Sequence, residues 1–230
     1  MSLTAKQKKD IAVGLIGYGT PKSNIWIMGY EESGNGRWAC NMSDENFLKY
    51  KAGSTNEMCL ADLEKPYRTT YGGYKRLLNR VFPEYKGTLF VANLLPFGKK
   101  NSNEILLREE CEIFGFSNYA ELYTATILDR HLVLIKFFEK NNWKDKYIFF
   151  CIGNSNNKVN ELKQFLSKLY DVKEETLFSE TFYIDKKSIT DKSKYYLLND
   201  IEFKKFITYQ ASSGIHFDRA IKRIKEILNQ

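Results

Sequence analysis

Thr88-Leu-Phe-Val-Ala-Asn-Leu94, opened by Gly87, is the stretch whose reading decides the fold. It is short, almost unbroken in apolar residues, and turns polar near its end, at Asn93. A half-exposed strand would alternate apolar with polar residues. A run this continuous suits a strand of a parallel sheet covered on both faces. Three more runs of the same kind occur along the chain. Ile25-Trp-Ile-Met28 ends at Gly29, Tyr147-Ile-Phe-Phe-Cys-Ile152 ends at Gly153, and the run from Phe203 to Tyr209 ends in Gln-Ala-Ser-Ser-Gly214.

Helical patterns fall between the runs. Val159, Leu162, Phe165, Leu166 and Leu169 recur at helical spacing, as do Phe217, Ile221, Ile224 and Leu228. Tyr119 to Lys140 reads as a longer helix, and Tyr71 to Val81 as another with Leu77 and Leu78 turned inward. Strands alternating with helices predict the α/β class. The expected architecture is three layers, a central mostly parallel four-stranded sheet with helices on both faces. Residues 1–230 are read as a single domain, with 1–20 as an N-terminal extension and the Thr/Phe/Tyr-rich stretch 176–198 as a hairpin insertion.

Composition bounds the function. With 230 residues, 43% hydrophobic and 15% aromatic, the chain has ample apolar surface for a core, which excludes disorder as its main state. The longest apolar stretch, His131 to Phe138, is interrupted by Lys136 and is far short of the about 20 residues a membrane span needs. The start, MSLTAKQKKDIAVGLIGYGTP, has Asp10 and two Gly where a signal peptide would stay apolar, so no leader is expected. Cys40, Cys59, Cys111 and Cys151 are widely spaced and form no CxxC pair, which reads as reduced thiols in a cytoplasmic protein. His131 and His216 are the only histidines, so no metal site and no cofactor is expected. The net charge of +7 favours polyanionic partners.

In an open α/β sheet, ligands bind outside the carboxyl ends of the strands. Gly29-Tyr-Glu-Glu-Ser-Gly34 follows the first strand, and its carboxylates could orient a water or a substrate group. Trp38, a few residues on, could stack on a planar ligand or cap the core. Asn93 offers one donor and one acceptor side by side, which suits the edge of a base, but it could equally fix the loop before Pro96. Ser212 and Ser213 are natural caps for the last helix, whose N-terminus with Gly214 could take a phosphate. Arg37, Arg68, Lys75, Arg76 and Arg80 are interleaved with Tyr67, Tyr71 and Tyr74, a pattern that suits nucleic acid as well as a solvated basic face. Gly14-Leu-Ile-Gly-Tyr-Gly19 lacks GxGxxG spacing and reads as a turn.

Taken in order, these loops resemble the uracil-DNA glycosylase superfamily. Ile25-Trp-Ile-Met-Gly-Tyr-Glu-Glu-Ser-Gly34 is similar to its first motif, with Glu31 where many members carry a water-orienting Asp or Asn. Leu89-Phe-Val-Ala-Asn93 resembles the strand whose Asn reads the uracil edge, and Tyr147 to Gly153 resembles the strand that ends in Gly. Tyr209-Gln-Ala-Ser-Ser-Gly214 occupies the place of the family's His-Pro-Ser. Two departures stand out: the first motif has no Pro, and Gln210-Ala211 replaces His-Pro. The missing His would remove a stabiliser of the leaving base anion.

The resemblance implies a glycosylase-like fold and recognition of an extruded base in DNA, with hydrolysis of its N-glycosidic bond as the expected chemistry. Glu31, Gln210 and Ser212 would then be the catalytic set. Asn93, Trp38 and Gly29 would bind the base, and Arg76, Arg80, Ser213 and Gly214 the nucleic-acid backbone. Two alternatives stay open: a catalytically inactive module on the same fold that binds DNA, RNA or protein, and a different α/β enzyme acting on a small nucleotide.

Overall fold

The computed structural model describes residues 2–30, 70–97, 106–151, 156–171, 183–188, 194–200 and 205–208, with shorter pieces at 43–45, 47–48, 58–59, 173, 218, 221–222, 224–226 and 228. In chain order the elements are α1 (Ala5–Gly14), β1 (Gly17–Gly19), β2 (Ile25–Gly29), β3 (Met58–Cys59), α2 (Thr70–Val81), β4 (Thr88–Asn93), α3 (Arg108–Glu112), α4 (Tyr119–Lys140), β5 (Tyr147–Cys151), α5 (Asn156–Tyr170), β6 (Tyr183–Ser188), β7 (Lys194–Asp200) and β8 (Lys205–Thr208). Residues 218, 221–222 and 224–226 are helical as well.

The four apolar runs form the centre of one sheet, side by side and parallel in the order β4-β2-β5-β8. Every residue of β2 is buried. Because side chains alternate along a strand, Ile25 and Ile27 join one core with Tyr74, Leu77, Leu78 and Val81 of α2. That core also holds Ile221 and Ile224, which lie in the expected last helix. Trp26 and Met28 join the opposite core with Leu134 and Phe138 of α4 and Leu162, Phe165 and Leu166 of α5. Helices therefore cover both faces, as the continuous runs predict. Trp26 anchors its side: its ring meets Phe90 and Phe138 edge-on at 5.2 Å each, and its indole N–H donates to the Ser23 carbonyl at 3.0 Å. Burying side chains of this size stabilises the fold by about 1.5–3 kcal/mol each.

The sheet is larger and more mixed than the expected four strands: among the described residues it has eight, and those flanking the parallel centre are antiparallel. On the outer edge of β4, β1 pairs antiparallel in the register Gly17↔Ala92, and β3 pairs Met58↔Leu89. The segment Gly17-Tyr-Gly19, expected as part of a turn, is thus a strand. It approaches so closely that a Cβ on residue 17 would overlap the Val91 carbonyl and stand 2.8 Å from Ala92 Cα. Only glycine allows that contact, and two glycines in three residues leave no apolar alternation to read. On the other side, the expected hairpin is present as β6 and β7, paired from Tyr183↔Asn199 to Ser188↔Lys194. It extends the sheet through Leu198↔Ile207 of β8.

Helix ends follow side-chain chemistry. Thr4 and Gln7 cap each other's backbone N–H groups at the start of α1. Asn118 accepts from the Glu121 N–H at 3.0 Å at the start of α4, which has the expected bounds. A third cluster, Ala12, Phe47, Phe97, Leu106, Cys111, Phe114 and Leu122, packs α1 and α3 against the first turns of α4.

Candidate functional site

The parallel strands end level. Gly29 is the partner of both Asn93 and Cys151, and Cys151 is the partner of Thr208, so four carboxyl ends lie in one row. The pairing of β2 with the exit of β4 continues past the strands, where the Leu94 N–H donates to the Gly29 carbonyl at 2.9 Å and the Leu95 N–H to the Tyr30 carbonyl at 2.8 Å. Asn93 stands in this row, half-buried, and its side-chain amide makes no hydrogen bond to any described residue.

Gly29 lets two polar side chains come close to its backbone. A Cβ there would stand 2.6 Å from Asn93 Oδ1 and 2.7 Å from the Tyr74 hydroxyl. Two polar atoms from two different elements therefore converge over one bare Cα. Tyr74 reaches this point from α2 with its ring in the core, the residue being 3% exposed. This corrects the reading of Tyr74 as an aromatic interleaved on a basic surface. Helical periodicity puts Tyr74, Leu77, Leu78 and Val81 on the buried face and Arg76, Asn79 and Arg80 outside.

Beneath the row lies Arg130, 1% exposed, on α4. Its guanidinium donates to five backbone carbonyls: Asn93 at 2.6 Å, Leu94 at 3.3 Å, Val13 at 2.8 Å, Leu15 at 2.6 Å and Ile16 at 3.4 Å. It ties the end of α1 to the exit of β4 through their backbone carbonyls. The backbone at Asn93 is thus tied on two sides while its amide is left available. At the mouth, Tyr30 follows β2, and Lys158 from the first turn of α5 lies over its ring at 4.8 Å, a cation–π contact.

Of the residues singled out from the sequence, Gly29 and Asn93 are brought together. Glu31, Trp38, Gln210, Ser212, Ser213 and Gly214 lie outside the described residues. Arg76 is exposed on α2. Arg80 is not at this edge. It pairs with Asp218 at 2.5 Å, near the far end of α2, where Phe82 meets the ring of Tyr147, the first residue of β5, at 5.2 Å. Sequence reading missed Tyr74, Tyr30, Lys158 and Arg130 as parts of the site. Only Arg130 carried a signal, as a charge inside the apolar face of a long helix.

A second polar group is buried between α4 and α5. His131, 1% exposed, and Glu161, 6% exposed, place Nε2 and Oε1 3.3 Å apart but without hydrogen-bond alignment. Lys168 Nζ lies 3.4 Å from His131 Nδ1. Burial, and next the cations of Lys168 and Arg130, push the His131 pKa down to about 4, so the ring is neutral near pH 7. Burial raises the Glu161 carboxyl above its ordinary value, against the opposing pull of Lys168.

Among the described residues, no three His, Cys, Asp or Glu side chains come together to hold a metal ion, and no helix is long and apolar enough to cross a membrane. Cys111 and Cys151 are buried cysteines outside any disulfide. Comparison with protein-family models, curated proteins and solved structures returns no match.

Proposed function

We propose that the chain recognises an extruded base of DNA at the carboxyl edge of its parallel strands, as a uracil-DNA glycosylase-type protein does. The observation that carries this reading is the available amide of Asn93 beside the bare Cα of Gly29, in a level row of strand ends. A carboxamide matches a base edge with its donor and acceptor, and the absence of a side chain at residue 29 lets the Asn93 amide sit close against the strand ends. In this reading Glu31 orients the attacking water, and the exposed Arg76 contributes to holding the backbone. Arg80, tied to Asp218 at the other end of α2, has no part in the site.

Gln210 in place of the expected His favours a second reading, a module that binds the base and does not cleave. The experiment that separates the two is base release from labelled oligonucleotides carrying uracil, hypoxanthine or xanthine, run with the parent, Glu31→Ala and Asn93→Ala. Release lost in Glu31→Ala supports the hydrolase. Binding that depends on Asn93 without any release supports the module. Neither release nor binding rejects both.

A further inference from the structure

The long helix α4 carries apolar residues on two opposite faces. One face is buried and holds Leu122, Leu134 and Phe138. On the other, Leu128 is 60% exposed and Leu132 is 53% exposed. Ala125 is exposed and Ile135 half-buried on that same side. Residues 125, 128, 132 and 135 alternate steps of three and four, the seam that one helix presents to another. A lone exposed leucine needs no explanation, but these four make a continuous stripe.

The stripe is centred on residue 130, and the midpoint of the 22-residue helix falls beside it. A twofold axis there would lay α4 antiparallel along a copy of itself over nearly its whole length, about 33 Å. Leu128 would meet the partner's Leu132, and the small Ala125 the partner's Ile135. Charge fits the same arrangement. Asp129 and Lys136 are exposed along one flank of the stripe. The twofold axis sets like flank against like flank, so Asp129 falls beside the partner's Lys136, twice over. In a parallel pair these positions would face Thr124 and the buried His131 instead. Glu121 and Glu139 come to one level at the ends of the contact. Glu121 already accepts the Ser117 N–H at 3.1 Å, and Glu139 falls against the partner's helix N-terminus, whose dipole favours a carboxylate.

We infer that the outward face of α4 is a docking surface for a second copy of this chain, paired antiparallel about residue 130. This does not depend on base recognition. Four side chains from each copy bury less than the roughly 1,200 Å² of a stable interface, so the dimer is weak, with a Kd of about 10–100 µM.

The test is analytical ultracentrifugation of the full chain from about 1 to 300 µM. The 26.9 kDa chain is expected as a monomer at the low end and mostly as a dimer at the high end. Leu132→Glu, at an exposed position, should keep the parent's urea midpoint and stay monomeric throughout. Asp129→Lys and Lys136→Asp should each weaken the dimer about tenfold, as two exposed ion pairs turned repulsive give. Mixed together, these two variants should associate within about twofold of the parent, because each copy then meets opposite charge at both contacts. A parent that stays monomeric at about 300 µM overturns the inference and leaves the face to a partner of another kind. A dimer that Leu132→Glu leaves intact forms through a different surface and overturns it as well. A mixture that associates no better than its two components refutes the antiparallel pairing.

Discussion

Acidification addresses the buried pair of His131 and Glu161. A histidine in an unfolded chain titrates near 6.5, whereas in the fold burial and the nearby cations hold His131 at about 4. Between those values the unfolded chain binds a proton that the folded chain does not. The stability associated with neutral His131 is therefore complete above about pH 6.5 and declines as pH falls toward about 4. With the side chain 1% exposed, solvent screening is small, and the loss over that window is about 3 kcal/mol. Glu161 works in the opposite direction. Its folded pKa is raised, so the folded chain takes up that proton more readily than the unfolded one, and acid favours folding through this group. The assay is urea unfolding of the parent and of His131→Gln between about pH 7.5 and 4. Glu161 is present in both, so the difference between the two proteins isolates the histidine. That difference should shift by about 3 kcal/mol in favour of the variant across the window. A difference constant within about 0.5 kcal/mol would refute the assignment of a neutral buried ring.

Substitutions at three positions probe the rest of the frame. Arg130→Met strips five backbone carbonyls of their donor and should cost about 3–5 kcal/mol, read as a lower urea midpoint. Arg130→Lys should recover less than half of it, because one ammonium cannot span α1 and β4 together. Gly29→Ala drives a methyl into Asn93 Oδ1 and the Tyr74 hydroxyl. It should cost about 1–3 kcal/mol by overpacking and abolish oligonucleotide binding, and retained binding would mean that the ligand lies elsewhere. Gly17→Ala meets backbone rather than a side chain, so β1 should detach from β4, seen as faster amide exchange at residues 17–19 with the parallel strands still protected.

What the sequence made legible was what burial writes into composition. The centre of the sheet showed because Ile25 to Met28 and Leu89 to Ala92 are apolar on both faces, and α4 showed because twenty-two residues keep a helical period. The edge strand β1 escaped for the opposite reason. β1 is built from close backbone contact, and glycine leaves no hydropathic mark. At the site, Gly29 and Asn93 were visible as the ends of apolar runs. Tyr74 was not, since a tyrosine beside Lys75 and Arg76 looks like surface until the helical phase turns its ring inward. Arg80 misled through its neighbours in sequence, because six residues of helix carry it from the carboxyl edge toward the amino edge of the sheet.

The clamp made by Arg130 has a bearing on synthesis. The arginine that closes the end of α1 is 117 residues downstream of Val13. At about 5–20 residues per second, a ribosome needs on the order of ten seconds to deliver it. Through that interval α1, a helix of ten residues, is too short to persist in water by itself, and β1 has no edge to join until β4 is made. A segment translated well before its partners is thus among the last to be secured. Nascent chains halted before residue 130 should be cut by protease within residues 5–19, and fully translated ones should resist.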